Sequence, residues 1–179
     1  MPAVNVLGIG MGIYVLFSVG AGEGNFFYEA MAREKDAPHR SYFVIVPYLT
    51  TALGGLVSNL FFGSCAIMGY VLCGSGDAVA EPVGTRLGKH PYNVPSLKRI
   101  KISERTLEGS ISIFILSILL SFFFFHYFYK LSLPMSFISS SIISVVIVIV
   151  EAFSFHGADN FTLQVSASAI AYFFIRVLS

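Results

Sequence analysis

Charge is confined to two short stretches of this chain, and the intervals around them have the length of a membrane crossing. Sixteen of the 21 charged side chains fall within residues 23–40 and 78–108. Residues 1–22, 109–129, 131–150 and 160–175 carry none, and neither does the longer run 41–76. An α-helix rises about 1.5 Å per residue, so about 20 apolar residues cross the hydrocarbon core of a bilayer. Composition agrees with that reading. Charged residues make up 12% of the chain and hydrophobic residues 55%, whereas a soluble domain carries about 25% charged residues. Mean hydropathy is +0.77. Such a balance excludes a disordered chain, a soluble nucleic-acid binder and a disulfide scaffold.

The apolar runs are continuous rather than alternating, which favours helices over a closed barrel. The expected fold is all-α: a polytopic integral membrane bundle of about six transmembrane helices, forming a single catalytic domain over residues 1–179. The expected spans are 1–22, 42–58, 61–80, 109–129, 131–150 and 160–178. The run 41–76 is too long for one crossing and reads as two helices turning near Ser58-Asn59. Lys and Arg mark the cytoplasmic side of a membrane protein. Nine of the eleven cations fall in the odd-numbered loops, three in 23–40 and six in 81–108. That side is expected to face the cytoplasm, with both termini outside and residues 81–109 as a cytoplasmic basic loop. Residues 1–20 lack a basic start, so a cleaved signal peptide is not expected. The whole pattern suits a bacterial inner membrane.

Several small features have plain readings. Cys65 and Cys73 lie in an apolar segment and read as small hydrophobes; no Cys-x-x-Cys or His cluster supports a zinc site. Gly8, Gly10 and Gly12 read as a close helix-packing face rather than a nucleotide loop. Ser136, Ser140 and Ser144 recur every four residues and read as a packing stripe. The run Phe122–Phe125 with Tyr127, Phe128 and Tyr129 reads as an interfacial aromatic belt, with His126 inside it. Gly84-Thr85-Arg86-Leu87-Gly88-Lys89-His90 is not a Walker A loop, because the spacing is wrong and no Ser or Thr follows Lys89.

Three polar segments meet the membrane on one side. The first is Gly74-Ser75-Gly76-Asp77-Ala78-Val79-Ala80-Glu81-Pro82-Val83-Gly84-Thr85-Arg86-Leu87-Gly88. An ionised carboxylate at membrane depth costs about 2.5–3.5 kcal/mol on insertion scales, so Asp77 is expected to face a wet cavity or a partner. Asp77 and Glu81 are four apart and share one face of a helix. Two carboxylates on one face suit Mg²⁺, which takes oxygen ligands and keeps several waters. Pro82 biases Glu81 away from helix and is expected to bend or end it there. Pairing of the two carboxylates with Arg86 or Lys89 at a helix end accounts for the same spacing. The second segment is Arg105-Thr106-Leu107-Glu108-Gly109-Ser110. Arg105 can hold phosphate oxygens bidentately, and Gly109 and Ser110 open a helix whose N-terminus attracts anions; an ordinary N-cap with juxtamembrane charges is the alternative. Lys98, Arg99 and Lys101 suit anionic lipid headgroups. The third segment runs from Glu151 to Asn160, where two acids and an amide separate the last two spans; alone, it reads as a polar loop with helix-capping residues.

Taken together and in this order, the segments resemble the polyprenol kinase family, the CTP-dependent lipid kinases that include dolichol kinase, phytol kinase and the CTP-dependent diacylglycerol kinase. The resemblance rests on Gly76-Asp77-x-x-Ala80-x-x-x-Gly84-x-Arg86-x-Gly88, on Arg105-Thr106-Leu107-Glu108-Gly109-Ser110 and on Asp159-Asn160. It covers residue 40 to the C-terminus. The link 89–104 is long, and Gln164 stands where family members often have Pro. The resemblance implies transfer of the CTP γ-phosphoryl group to the hydroxyl of a membrane isoprenoid or other lipid alcohol. It implies Asp77, Arg105, Glu108 and Asp159 as catalytic residues, with Mg²⁺ on Asp77 and Glu81. Arg86, Lys89, Ser110 and Asn160 would bind the nucleotide. No nucleic-acid partner is implied, and the sequence does not define an oligomeric state. Alternatives are a phosphatidate cytidylyltransferase-like enzyme, although its Lys-Asp-containing signature is missing, a small transporter, or a non-catalytic membrane protein.

Overall fold

The computed structural model describes residues 2–32, 34–94 and 103–178, with side chains from residue 10 onward except at 35 and 103. Arg33, Lys98, Arg99 and Lys101 lie outside the described residues. The described residues are mostly helical. Helix α1 (Pro2–Ala21) leads to a single turn, α2 (Phe26–Glu29), then to α3 (Tyr42–Phe62) and α4 (Ala66–Leu87). A two-stranded antiparallel ribbon follows, β1 (Pro91–Val94) paired with β2 (Ser103–Thr106), with Tyr92 opposite Arg105. Helices α5 (Leu107–Phe123), α6 (Leu133–Phe153) and α7 (Asp159–Leu178) complete the chain.

Four helical stretches are long and apolar enough to cross a membrane: Tyr42–Leu87, Leu107–Phe128, Leu133–Phe153 and Asp159–Leu178. The first contains both α3 and α4. They fold back on each other, because Asn59 Nδ2 donates to Tyr70 Oη at 2.6 Å. The turn lies at Gly63–Cys65, not at Ser58-Asn59 as the sequence suggests. Asn59 stays helical because its amide also donates to the Gly55 carbonyl, so a polar side chain satisfies itself without breaking the helix. Gly63 makes the turn at φ 56°, a conformation that costs a glycine little.

Many large apolar side chains of the bundle face outward, and many of its serines are buried. Leu53, Leu56 and Leu60 of α3, Ile111, Ile115 and Leu119 of α5, and Phe137, Ile138 and Ile149 of α6 face outward. Ser117 and Ser121 of α5 and Ser136, Ser139, Ser140 and Ser144 of α6 are buried. Small residues let helix backbones approach closely where lipid supplies no hydrophobic force between helices. The expected serine stripe is thus an internal packing face. Ser121 and Ser140 bond back to carbonyls of their own helices, which removes the cost of burying them. The aromatic run leaves α5 as a π-turn over Phe124–Phe128 and buries Phe125.

Helix α7 packs between α3 and α4, parallel to α3 and antiparallel to α4, as the contacts Thr51–Asn160, Phe62–Tyr172 and Cys73–Asn160 require. Gly69 makes that packing possible. A Cβ there would run into the Ser168 hydroxyl and the Gln164 carbonyl. Gly69→Ala is therefore expected to destabilise the fold by about 1–3 kcal/mol, the usual cost of overpacking. Gly74→Ala has open space around it and serves as the matched control. Thermal unfolding in detergent checks the pair: equal midpoints would contradict this packing.

Apolar packing forms two separate clusters. The larger joins α4, α5, α6 and α7 around Met68, Leu72, Ile113, Ile143 and Ala167. The smaller holds Val15 of α1, Tyr28, Ala32 and Val44 of α3. Arg40 closes the smaller one over, reaching Glu29 with both terminal nitrogens and lying over the Tyr28 ring. The Arg40 guanidinium holds the Glu29 carboxyl below its usual range. The pair's contribution is complete above the ordinary glutamate pKa, about 4.3, and is lost as pH falls through the lowered folded value. The unfolding midpoints of wild type and Arg40→Met are expected to lie furthest apart near neutral pH and to converge in acid. A separation independent of pH would contradict the pairing.

Candidate functional site

One end of the bundle gathers the last three turns of α4, the ribbon, the start of α5, the end of α6 and the start of α7. Close approach depends on glycines. A Cβ at Gly84 would sit 2.8 Å from Thr106 Oγ1, and one at Gly109 would sit 3.0 Å from the Ala80 carbonyl. These two positions therefore let the end of β2 and the first turn of α5 lie directly on α4. Thr106 caps α5 by accepting the Gly109 N–H at 3.2 Å. Spacing alone cannot show the Gly84–Thr106 and Ala80–Gly109 approaches, since those partners are more than twenty residues apart.

Helix α4 does not end at Pro82. It continues to Leu87, so the first part of the expected loop 81–109 is helix. Proline removes one donor from the ladder, but the helix carries on. The Thr85 hydroxyl donates to the Glu81 carbonyl at 2.8 Å. Asp77 and Glu81 consequently stay in helical register, one turn apart. Both line a cavity of about 1190 Å³.

Arg105 is at the centre of the site. Its Nη1 lies 3.0 Å from Glu151 Oε1, and its Nη2 donates to Asp159 Oδ2 at 2.7 Å. The three side chains are only 13%, 9% and 15% exposed. Tyr92 Oη and Ser110 Oγ are 2.8 Å apart, and each lies 3.3 Å from Glu151 Oε2. Burial pushes the Tyr92 phenol above its ordinary pKa, which keeps it a proton donor towards the carboxylate. Asp159 Oδ1 accepts the Asn160 N–H at 3.1 Å. Asn160 Nδ2 donates to Thr51 Oγ1 at 2.9 Å, and the Cys73 thiol donates to the Asn160 carbonyl at 3.6 Å. Asn160 thus ties the start of α7 to both α3 and α4.

The structure brings together Asp77, Glu81, Arg105, Ser110, Asp159 and Asn160, all of which line the cavity. Arg86 and Lys89 are exposed at the end of α4 and just after it, and they are not among the lining residues. Glu108 is turned to the ribbon, where its Oε1 pairs with His90 Nδ1 at 2.7 Å. Glu151 and Tyr92 are members that the sequence reading does not assign. Glu151 carried one signal: it is a carboxylate at the very end of an apolar span. Tyr92 carried none.

The lining is acidic. Asp36, Asp77, Glu81, Glu104, Glu151 and Asp159 line it together with Arg105, which contacts Glu151 and Asp159, and His156, whose Nε2 lies 3.7 Å from Asp36 Oδ1. No group of three or more His, Cys, Asp or Glu side chains is disposed to hold a metal ion among the described residues. The Asp77–Glu81 pair nonetheless fits Mg²⁺, which takes one or two carboxylates, keeps waters and completes its shell with substrate phosphates. Comparison with family models, with curated proteins and with solved structures finds no match to this chain.

Proposed function

We propose that this chain is a membrane-embedded phosphotransferase, a CTP-dependent lipid kinase that moves the γ-phosphoryl group of CTP to the hydroxyl of an isoprenoid or other lipid alcohol. The observation that supports it best is the convergence of all three motif segments on one cavity at one end of an apolar bundle. Phosphoryl transfer asks a protein mainly for positioning and charge neutralisation. Phosphoryl transfer from a nucleotide also calls for a divalent ion that neutralises phosphate oxygens, so the reading requires one. Asp77 and Glu81 would hold Mg²⁺, whose charge, when it is bound, neutralises phosphate oxygens. Asp77 is the principal ligand and Glu81 the supporting one.

Arg105 is kept rigid by Glu151 and Asp159 and directs its positive charge at the cavity from a fixed place. Asp159 and Asp77 are the carboxylates available to accept the alcohol proton, a step to which a loose transition state gives little weight. Asn160 fixes the start of α7, and with it the position of Asp159. Ser110 faces the cavity beside Glu151 and contributes a hydroxyl to the nucleotide side. Arg86, Lys89 and Glu108 act from outside the cavity lining, Arg86 and Lys89 on the arriving phosphates and Glu108 by fixing the ribbon through His90.

We read α1, α3, α4, α5 with its π-turn, α6 and α7 as six crossings, with the site at the cytoplasmic face of a bacterial inner membrane. Excess Lys and Arg in the segments next to the site support that orientation. The test is product analysis in mixed micelles with γ-labelled CTP, Mg²⁺ and a panel of lipid alcohols. Label in a phosphorylated lipid, with CDP released, is expected. Labelled pyrophosphate on adding phosphatidate would instead identify a cytidylyltransferase.

A further inference from the structure

One side chain of the site stands behind the cavity wall. Tyr92 is not among the residues that line the cavity, whereas Arg105, Ser110 and Glu151 beside it all are. The ribbon accounts for its place. Directly opposite residues of an antiparallel pair project to the same face, so Tyr92 and Arg105, paired in register, lie side by side. Burial alternates along β1: Pro91 and Asn93 are exposed, Tyr92 is half-buried and Val94 is fully buried. The face that carries Tyr92 and Arg105 is therefore the one turned to the bundle.

Both side chains end on one carboxylate. Glu151 Oε1 lies 3.0 Å from Arg105 Nη1. Glu151 Oε2 accepts from the hydroxyls of Tyr92 and Ser110, each at 3.3 Å. The two oxygens of a carboxylate turn together, so whatever fixes Oε2 also fixes where Oε1 points. Arg105 depends on that direction. Its Nη1 is buried and makes no aligned hydrogen bond with a described residue, so what Glu151 offers it is proximity of charge. Its Nη2 is secured separately, by Asp159 at 2.7 Å. One end of the guanidinium is thus bonded directly, and the other is placed by a carboxylate that two hydroxyls hold. Ser110 ties that carboxylate to α5. Tyr92 ties it to the same ribbon that carries Arg105, so the anchor and the guanidinium keep one frame.

We infer that Tyr92 is a positioning residue: its hydroxyl orients the Glu151 carboxylate and, through it, the Arg105 guanidinium at the cavity wall. That Arg105 meets a transferring phosphoryl group rests on the kinase reading; the control of Arg105 by Tyr92 does not.

Chemical modification tests that control without any activity. The full chain in detergent is treated with phenylglyoxal, which attacks arginine, and the rate at each arginine is followed by peptide mass. Tyr92→Phe removes the hydroxyl and keeps the ring. It is expected to speed modification of Arg105 by about fivefold, the scale of one net hydrogen bond, at an unchanged unfolding midpoint. Arg40, held by Glu29 over the smaller apolar cluster, and the exposed Arg86 should keep their wild-type rates. Equal rates at Arg105 in wild type and variant would overturn the inference. So would faster modification of Arg40 as well, or a lowered midpoint, since the hydroxyl would then serve the fold as a whole. In the Glu151→Gln background the carboxylate is already gone, and adding Tyr92→Phe should change the Arg105 rate no further. A second increase of the same size would show that the hydroxyl acts by another route.

If lipid is phosphorylated, Tyr92→Phe should lower the transfer rate at saturating CTP by about fivefold, on the same scale, and have no further effect in the Arg105→Lys background. Normal transfer by Tyr92→Phe would overturn the positioning role and keep the kinase. Faster modification of Arg105 in a protein that transfers nothing would keep the control of Arg105 by Tyr92 and remove the kinase.

Discussion

Arg105→Ala is expected to destabilise the fold by about 3–5 kcal/mol, the usual cost of removing one partner from a buried ionic cluster. The reason is electrostatic. Glu151 and Asp159 lie against the guanidinium at 3.0 and 2.7 Å, and both are largely shielded from solvent. Without Arg105 two carboxylates face each other with no cation between them. Tyr92 and Ser110 would still bond Glu151, so one carboxylate keeps part of its compensation. Arg105→Lys should recover only part of the loss, because an ammonium cannot reproduce the planar fork that reaches two carboxylates at once. The effect should shrink in the triple variant Arg105→Leu, Glu151→Leu, Asp159→Leu, since removing all the charges removes the unpaired ones. Thermal unfolding in detergent reads these differences. An Arg105→Ala midpoint equal to wild type would show that the cluster does not hold the site together.

Asp77→Asn is expected to act on chemistry and spare the fold. Asp77 is exposed to the cavity rather than buried in the core, so exchanging a carboxylate for an amide of the same shape removes charge without leaving a void. On the kinase reading, the loss of one charge-stabilising group at the reacting phosphate should lower transfer by at least about 100-fold, the scale of single electrostatic groups in active sites. Glu81→Gln should cost less, as the supporting ligand. An Asp77→Asn protein that loses activity by unfolding would not support the assignment, so its unfolding midpoint must match that of wild type.

Charge placement made much of this architecture legible. The expected spans 109–129, 131–150 and 160–178 correspond to the helical stretches Leu107–Phe128, Leu133–Phe153 and Asp159–Leu178, because charged or turn-forming residues end each apolar run. The turn between α3 and α4 does not fall at Ser58-Asn59, the most polar pair in its run, because both side chains find hydrogen-bond partners without breaking the helix. Ser58 Oγ donates to the Gln164 carbonyl at 3.4 Å, a contact 106 residues away in sequence. Pro82 illustrates the opposite limit: local preference pointed to a helix end, and the surrounding packing kept the helix going. In the site, Asp77 and Glu81 were legible as a pair because helical spacing is local. The Arg105–Glu151–Asp159 cluster was not, since its members come from β2, α6 and α7 and meet only when the bundle forms.

Transfer of phosphoryl groups at the acidic cavity is the central expectation for this protein. The direct measurement is the initial rate of label transfer from γ-labelled CTP to lipid alcohol, with Mg²⁺, for wild type and Asp77→Asn side by side at matched unfolding midpoints. Phosphorylated lipid is expected from wild type and at least about 100-fold less from the variant. Equal transfer by the two proteins would contradict the site, and no transfer by folded wild type with any acceptor in the panel would contradict the function.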